Sequence, residues 1–216
     1  MRLAFELRGI TALLMHQDDV EASDRLDAWR KDPKNKGVSK AGDDRSPAWT
    51  WQTYCYGDGK RLTVPSANLM VALRQAGSQM ILKKQKTFKE ISQSGMFIES
   101  EFLDFQCGSP LRSVDMEAIA GLAEKPFAAQ ADAVRKLGFR LFVKRAKIGT
   151  SKHIRVRPRF DQWRITGAIE THAAELTEDA VRQLFQLAGR VGLCDWRPGC
   201  KTPGPFGMFE ATVTRE

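Results

Sequence analysis

The sequence is poor in the side chains that most enzyme chemistries need. Three histidines, His16, His153 and His172, are scattered through 216 residues, so neither a Ser/His/Asp nor a Cys/His arrangement can be argued from them. The four cysteines, Cys55, Cys107, Cys194 and Cys200, include no C-x-x-C pair. They offer no zinc framework and fit a reduced, cytoplasmic compartment. Apolar runs extend for only a few residues, so no membrane span is expected. Glu6 and Arg8 interrupt the stretch that a secretion signal would keep apolar. No Walker-type Gly-x-x-x-x-Gly-Lys-Ser/Thr pattern occurs, which removes the P-loop class of nucleotide sites. No internal repeat is visible, and no cofactor or metal is expected.

Positive charge is what the chain has in excess: 34 Lys and Arg against 26 acids, a formal net charge of +8. That balance suits a nucleic-acid binder better than an enzyme for small neutral substrates. It is concentrated in Arg135–Arg164, which holds eleven Lys and Arg and one acid, Asp161. Leu141, Val143, Ile154, Val156 and Phe160 recur there at strand spacing around Gly149-Thr150-Ser151. The pattern predicts a hairpin with one apolar and one cationic face. Like charge stacked on one face is destabilising unless an anion neutralises it, and a phosphate backbone is the simplest such anion.

The candidate phosphate contacts are Arg140, Lys144, Arg145, Lys147, Lys152, Arg155, Arg157, Arg159 and Arg164. His153 is available to stack or donate, and Phe139, Phe142, Phe160 and Trp163 are interleaved. Lys83, Lys84, Lys86 and Lys89 form a second cluster that would extend the same groove if the fold brings it close. A loop rich in glycine (Gly192, Gly199, Gly204, Gly207) carries Arg197 and Lys201 and allows close backbone approach to phosphate. Replacing Arg155 and Arg157 together by Ala is expected to weaken binding evenly across sequences.

In chain order, Leu3, Phe5, Leu7 and Ile10 alternate with polar residues as a strand does, with Gly9 as a bulge, and Ala12–Met15 follow as a buried run. From His16 to Pro47 the composition turns polar, acids first (Asp18, Asp19, Glu21, Asp24, Asp27) and then Lys31, Lys34, Lys36 and Lys40, with a short helix expected at 20–29. Trp49, Trp51, Tyr54 and Tyr56 suggest a strand before the turn Gly57-Asp58-Gly59, with Arg61–Val64 as its partner. Ser66 is placed as N-cap of a helix whose buried face is Leu69, Leu73, Ala76 and Met80. Met96–Phe105 is expected as a strand, 110–136 as an insertion with short helices, and Gln162–Glu170 as a further strand. Thr177 caps a helix buried through Val181, Leu184, Phe185, Ala188 and Val191 and ending at Gly192, before a last strand at Met208–Val213.

Without its insertions this order approaches β-α-β-β-α-β: an α+β, ferredoxin-like (RRM/RAMP-like) antiparallel sheet with two helices. The expected unit is a single domain over 1–216, with insertions at about 16–47 and 106–136. One face of such a sheet would be left open to a ligand.

The segment RLTVPSANLMVALRQ (61–75) resembles the "strand, Pro, Ser, x, x, Leu, x, x, x, Leu, Arg" entry into the first helix of the RAMP superfamily. VGLCDWRPGCKTPGPFGMFEATV (191–213) is similar to that superfamily's Gly-rich loop running into the last strand. The overall pattern also resembles small phage and prophage proteins. The superfamily comprises RNA-binding subunits of CRISPR effector complexes. The resemblance therefore implies a cytoplasmic protein that coats single-stranded RNA or DNA as side-by-side protomers, a homo-oligomer or part of a larger ribonucleoprotein, without a catalytic centre. Two alternatives stay open. One is a metal-dependent endoribonuclease using the acidic residues after the first strand. The other is a phage-encoded inhibitor that occupies a host complex's nucleic-acid groove.

Overall fold

The computed structural model describes residues 1–38, 43–84, 86–148 and 150–216; Lys40 and Gly149, named above, lie outside the described residues. Along the chain come β1 (Arg2–Gly9), β2 (Leu13–Leu14), α1 (Val20–Lys31), β3 (Thr63–Pro65) and α2 (Ser66–Gly77). A small pair, β4 (Ile81–Lys83) and β5 (Lys86–Thr87), leads to α3 (Lys89–Ser94), β6 (Met96–Phe97) and β7 (Phe102–Cys107). Next are α4 (Met116–Ala120), α5 (Phe127–Lys136), β8 (Arg140–Ile148) and β9 (Ser151–Phe160). Last are β10 (Trp163–Thr171), α6 (Glu178–Val191) and β11 (Phe209–Arg215). The fold is α+β, and every strand ladder is antiparallel.

The main sheet runs β11-β1-β10-β7-β3, with β6 pairing the far end of β10. Period-two alternation decides its faces: Leu3 pairs Ile169, Phe5 pairs Gly167 and Leu7 pairs Ile165, all pointing one way. Over that face lie Leu69, Ala72, Leu73 and Ala76 of α2 and Val181, Leu184, Phe185 and Ala188 of α6, all buried. Thr177 caps α6 as its sequence predicts, its Oγ1 accepting from Ala180 N at 3.3 Å. Ser66 is not a cap. It is the first residue of α2, and Pro65 stands at the cap position without a side-chain bond. Gly9 is not a bulge either, because the ladder stays in register from Arg2 to Gly9. A Cβ there would strike the Trp163 indole, whose Nε1 donates to Thr11 O at 2.8 Å.

After Gly9 the chain leaves this sheet, and buried Leu13–Leu14 join a second one, ordered β2-β9-β8. The basic hairpin therefore belongs to a separate small sheet, not to the main sheet where the sequence order suggested it. Aromatic packing joins the two layers: Phe160 of β9 stands 4.9 Å from Phe105 of β7 and 5.0 Å from Phe139, and Phe139 is 6.0 Å from Trp51. The segment Trp49–Tyr56 is no strand, because Thr50–Tyr54 form a 3₁₀ turn. That turn buries Trp51, whose Nε1 donates to the buried Gln130 Oε1 at 2.6 Å. Met96–Phe105 is likewise two strands, β6 and β7, rather than one. The helices α1, α4 and α5 fall where the two polar insertions led us to expect them.

Candidate nucleic-acid interface

Register gives the hairpin two unlike faces. Residues directly opposite share a face, which puts Arg140 with Arg159, Phe142 with Arg157, Lys144 with Arg155, and Ala146 with His153 on one side. The other side carries Leu141 with Pro158 and Val143 with Val156, then Arg145 with Ile154 and Lys147 with Lys152 towards the turn. The base of the hairpin is thus apolar on its inner face, while its outer half is cationic on both.

Half of the hairpin's cations are already paired. Asp44, 3% exposed, accepts from Arg155 Nη1 at 3.1 Å, Arg157 Nη1 at 2.9 Å, Val156 N at 2.9 Å and Tyr54 OH at 3.0 Å. Asp161 pairs Arg140 at 2.6 Å and Arg159 at 2.8 Å, and Asp195 accepts from Arg157 Nε at 3.3 Å. Among the described residues no acid lies within ion-pair distance of Lys144, Arg145, Lys147 or Lys152. All four are exposed. Arg157, 8% exposed, is foremost an internal partner of Asp44.

Beside the hairpin, the loop after α6 hangs on β2. Asp195 N donates to Leu14 O at 3.0 Å and Gly207 N to Ala12 O at 2.8 Å. Trp196 and Phe206 of this loop pack with Phe142, centroid distances 5.3–6.4 Å, over Leu14. Between Trp196 and the cationic face opens a cleft of about 340 Å³, lined by Phe142, Lys144, Arg145, Lys147, Arg155 and Asp195 among others. Lys144 Nζ sits 3.0 Å from the centre of the Trp196 ring. His16 lies 3.4 Å from Arg157 and 3.9 Å from Asp195; burial, then Arg157, pushes its pKa down.

Other candidates are placed elsewhere. Arg164 is on the open face of the main sheet, bonded to Glu6 at 3.3 Å and Gln106 at 2.7 Å. That face is charge-matched: Arg2 meets Glu99, Glu170 and Glu216, and Arg8 meets Glu6. Arg197 is 9% exposed and its Nη1 donates to Gln75 Oε1 at 2.6 Å, bracing the loop against α2, whereas Lys201 is exposed. His153 is half-buried in β9 beside Ala146. Phe139, Phe160 and Trp163 are core residues, 4%, 0% and 3% exposed, so of the four aromatics threaded through the basic tract only Phe142 reaches the cleft.

The second lysine cluster is carried by a different part of the fold. Lys83, Lys84, Lys86 and Lys89 lie on and around β4, β5 and α3, and α3 runs into β6, which pairs β10 at Glu170–Thr171. The hairpin joins β10 at its other end, Trp163. The eight rises of about 3.3 Å along β10 put about 26 Å between its Thr171 end and the base of the hairpin.

The acids at 18–27 serve α1: Asp19 caps it, accepting from Ala22 N at 3.2 Å, and Asp24 and Asp27 are exposed. Among the described residues no three His, Cys, Asp or Glu side chains are grouped to share a metal ion. Burial pushes the thiols of Cys55 and Cys194 up, and that of Cys107 up to about 12, away from nucleophilic use at neutral pH. No helix among the described residues is long and apolar enough to cross a membrane.

Sequence reasoning missed Asp44, Asp195 and Trp196. The first pairs across more than a hundred residues, which no local pattern signals, and the other two stand inside a stretch that reads only as Gly- and Pro-rich. The chain matches no family model and no curated protein sequence.

Proposed function

We propose that this protein binds single-stranded RNA or DNA through backbone phosphates, with the hairpin β8–β9 as the principal contact and protomers set side by side along the strand. One observation carries this reading. Lys144, Arg145, Lys147 and Lys152 crowd the outer half of a two-stranded hairpin with no acid paired to them among the described residues, next to arginines held in place by Asp44 and Asp161. Their mutual repulsion is relieved by a polyanion, and arginines already oriented lose little freedom on meeting one.

Further support comes from the strand order β11-β1-β10-β7, with α2 ahead of β7 and α6 between β10 and β11. This is the order a ferredoxin-like, RAMP-like domain would have, with residues 10–62 and 108–162 as its insertions. The hairpin then belongs to the second insertion and not to the core sheet. For protomer contacts α1 is the best candidate, since none of its residues is buried and Val20 is 78% exposed.

Fluorescence anisotropy of a labelled single-stranded oligonucleotide tests the proposal. Replacing Lys144, Arg145, Lys147 and Lys152 together by Ala is expected to weaken binding by about a hundredfold or more at low salt. Circular dichroism would establish that the fold persists, since all four side chains are exposed. Parent-like affinity in the quadruple variant would sink the reading.

A further inference from the structure

The cleft between the hairpin and the loop after α6 is built differently from the rest of the cationic surface. Its lining combines exposed cations with the apolar and aromatic side chains of Leu14, Phe142 and Trp196, and with an inner ion pair, Arg157–Asp195. A surface that met only phosphate would have no use for the aromatic lining.

Trp196 is the centre of this arrangement. Its backbone is left-handed (φ 47°), as is that of Cys194 (φ 61°), in a region that non-glycine residues rarely adopt. Such outliers persist where the surroundings over-determine them, and they concentrate at binding sites. Here the surroundings are visible: Trp196 Nε1 donates to Pro203 O at 3.2 Å, the ring packs against Gly204, and Phe206 lies 5.4 Å away. Lys144 lies on the ring at 3.0 Å. A flexible, exposed lysine over an aromatic ring is a weakly held contact, easily exchanged for a flat ligand.

We infer that this cleft is a nucleotide pocket in which an unpaired base stacks on Trp196, displacing Lys144 onto the neighbouring phosphate. The inference rests on the single-strand reading above and adds base contact to it. At about 340 Å³ the cleft is at the small end of ligand pockets, a size that suits one nucleotide. Charge sets the orientation of that nucleotide. Lys144, Arg145 and Lys147 are exposed and free to meet phosphate, whereas Arg157 is 8% exposed and already paired to Asp195, so the base goes in and the backbone stays out. Exchange of Lys144 from ring to phosphate lets one residue serve the free and the bound protein in turn. Stacking on a ring is indifferent to sequence but requires an unpaired base, so the pocket selects single strands over duplex.

The test compares two oligonucleotides of equal length and equal phosphate number, one adenine-bearing and one abasic throughout, both binding the full chain at one salt concentration. The adenine strand is expected to bind about tenfold more tightly, the scale of one base–aromatic stack, and to quench tryptophan emission. In Trp196→Phe most of that preference remains and the quenching shrinks; in Trp196→Ala the preference disappears. Equal binding of the two strands by the parent protein would overturn the inference and leave the phosphate-binding reading standing. Failure of both strands to bind would overturn the two together. The first comparison uses only the parent protein, so it holds even if Trp196→Ala misfolds.

Discussion

Asp44 Oδ2 accepts a 2.9 Å hydrogen bond from Arg157 Nη1, 113 residues further along the chain, while its Oδ1 accepts from Arg155 at 3.1 Å. One buried carboxylate thus holds two arginines of β9 and ties the polar segment before Pro47 to the edge of the hairpin. Asp44 N donates to Ile154 O at 2.8 Å, which continues the tie along the backbone.

Removing that carboxylate leaves Arg157 buried without its closest partner. Asp44→Ala is expected to lower stability by about 3 kcal/mol, measured as a fall in the urea midpoint with an unchanged slope. Asp44→Asn keeps an acceptor for Val156 N and should lose less. The double variant Arg155→Ala with Arg157→Ala strands Asp44 in the same way, so its loss of stability precedes any effect on binding. A midpoint equal to the parent's in Asp44→Ala would refute the tie.

Binding through the outer half of the hairpin makes a quantitative statement about salt. Each phosphate neutralised on a single strand adds about −0.7 to the slope of log affinity against log salt, so four cations give about −3. Replacing Lys147 alone should flatten the slope by about 0.7, with the same change for every base composition tried. A slope near zero in the parent protein would mean that phosphates are not what the hairpin meets.

His16 predicts a pH effect on folding. Burial and Arg157 lower its folded pKa below the ordinary 6.5, so the unfolded chain binds a proton that the folded one refuses. Stability then rises with pH across this window: the folded protein is fully favoured above 6.5, and stability is lost as pH falls from 6.5 towards the folded value. Thermal melts between neutral pH and the pH just below that value should show a smaller decline in His16→Gln than in the parent. An identical decline in both would remove His16 as the cause.

Alternation was a local signal and was legible; of the two caps expected, the structure has Thr177 but not Ser66. Leu3, Phe5 and Leu7 announced β1, Thr177 and the apolar stripe from Val181 to Val191 announced α6, and the cationic tract announced its hairpin. The aromatic run at 49–56 misled because its outer spacings are the two of a strand, whereas the middle one, Trp51 to Tyr54, is the three of a 3₁₀ turn, which here buries Trp51 against Gln130. Gly9 looked like a bulge because nothing nearby in the chain indicates that Trp163 needs the space a side chain would fill.

Composition and periodicity by themselves determined that this protein is α+β, strongly basic, and basic above all along one hairpin, because those properties depend on neighbours within a few residues. Which of those cations face solvent unpaired was decided only by tertiary structure. Asp44 and Asp195 come from distant segments, and they neutralise Arg155 and Arg157 but leave Lys144, Arg145, Lys147 and Lys152 without them. The same folding laid Trp196 beside the cationic face and set Lys83–Lys89 at the other end of β10. Charge is a property of the chain; the field it makes depends on what the fold brings within a few ångströms of it.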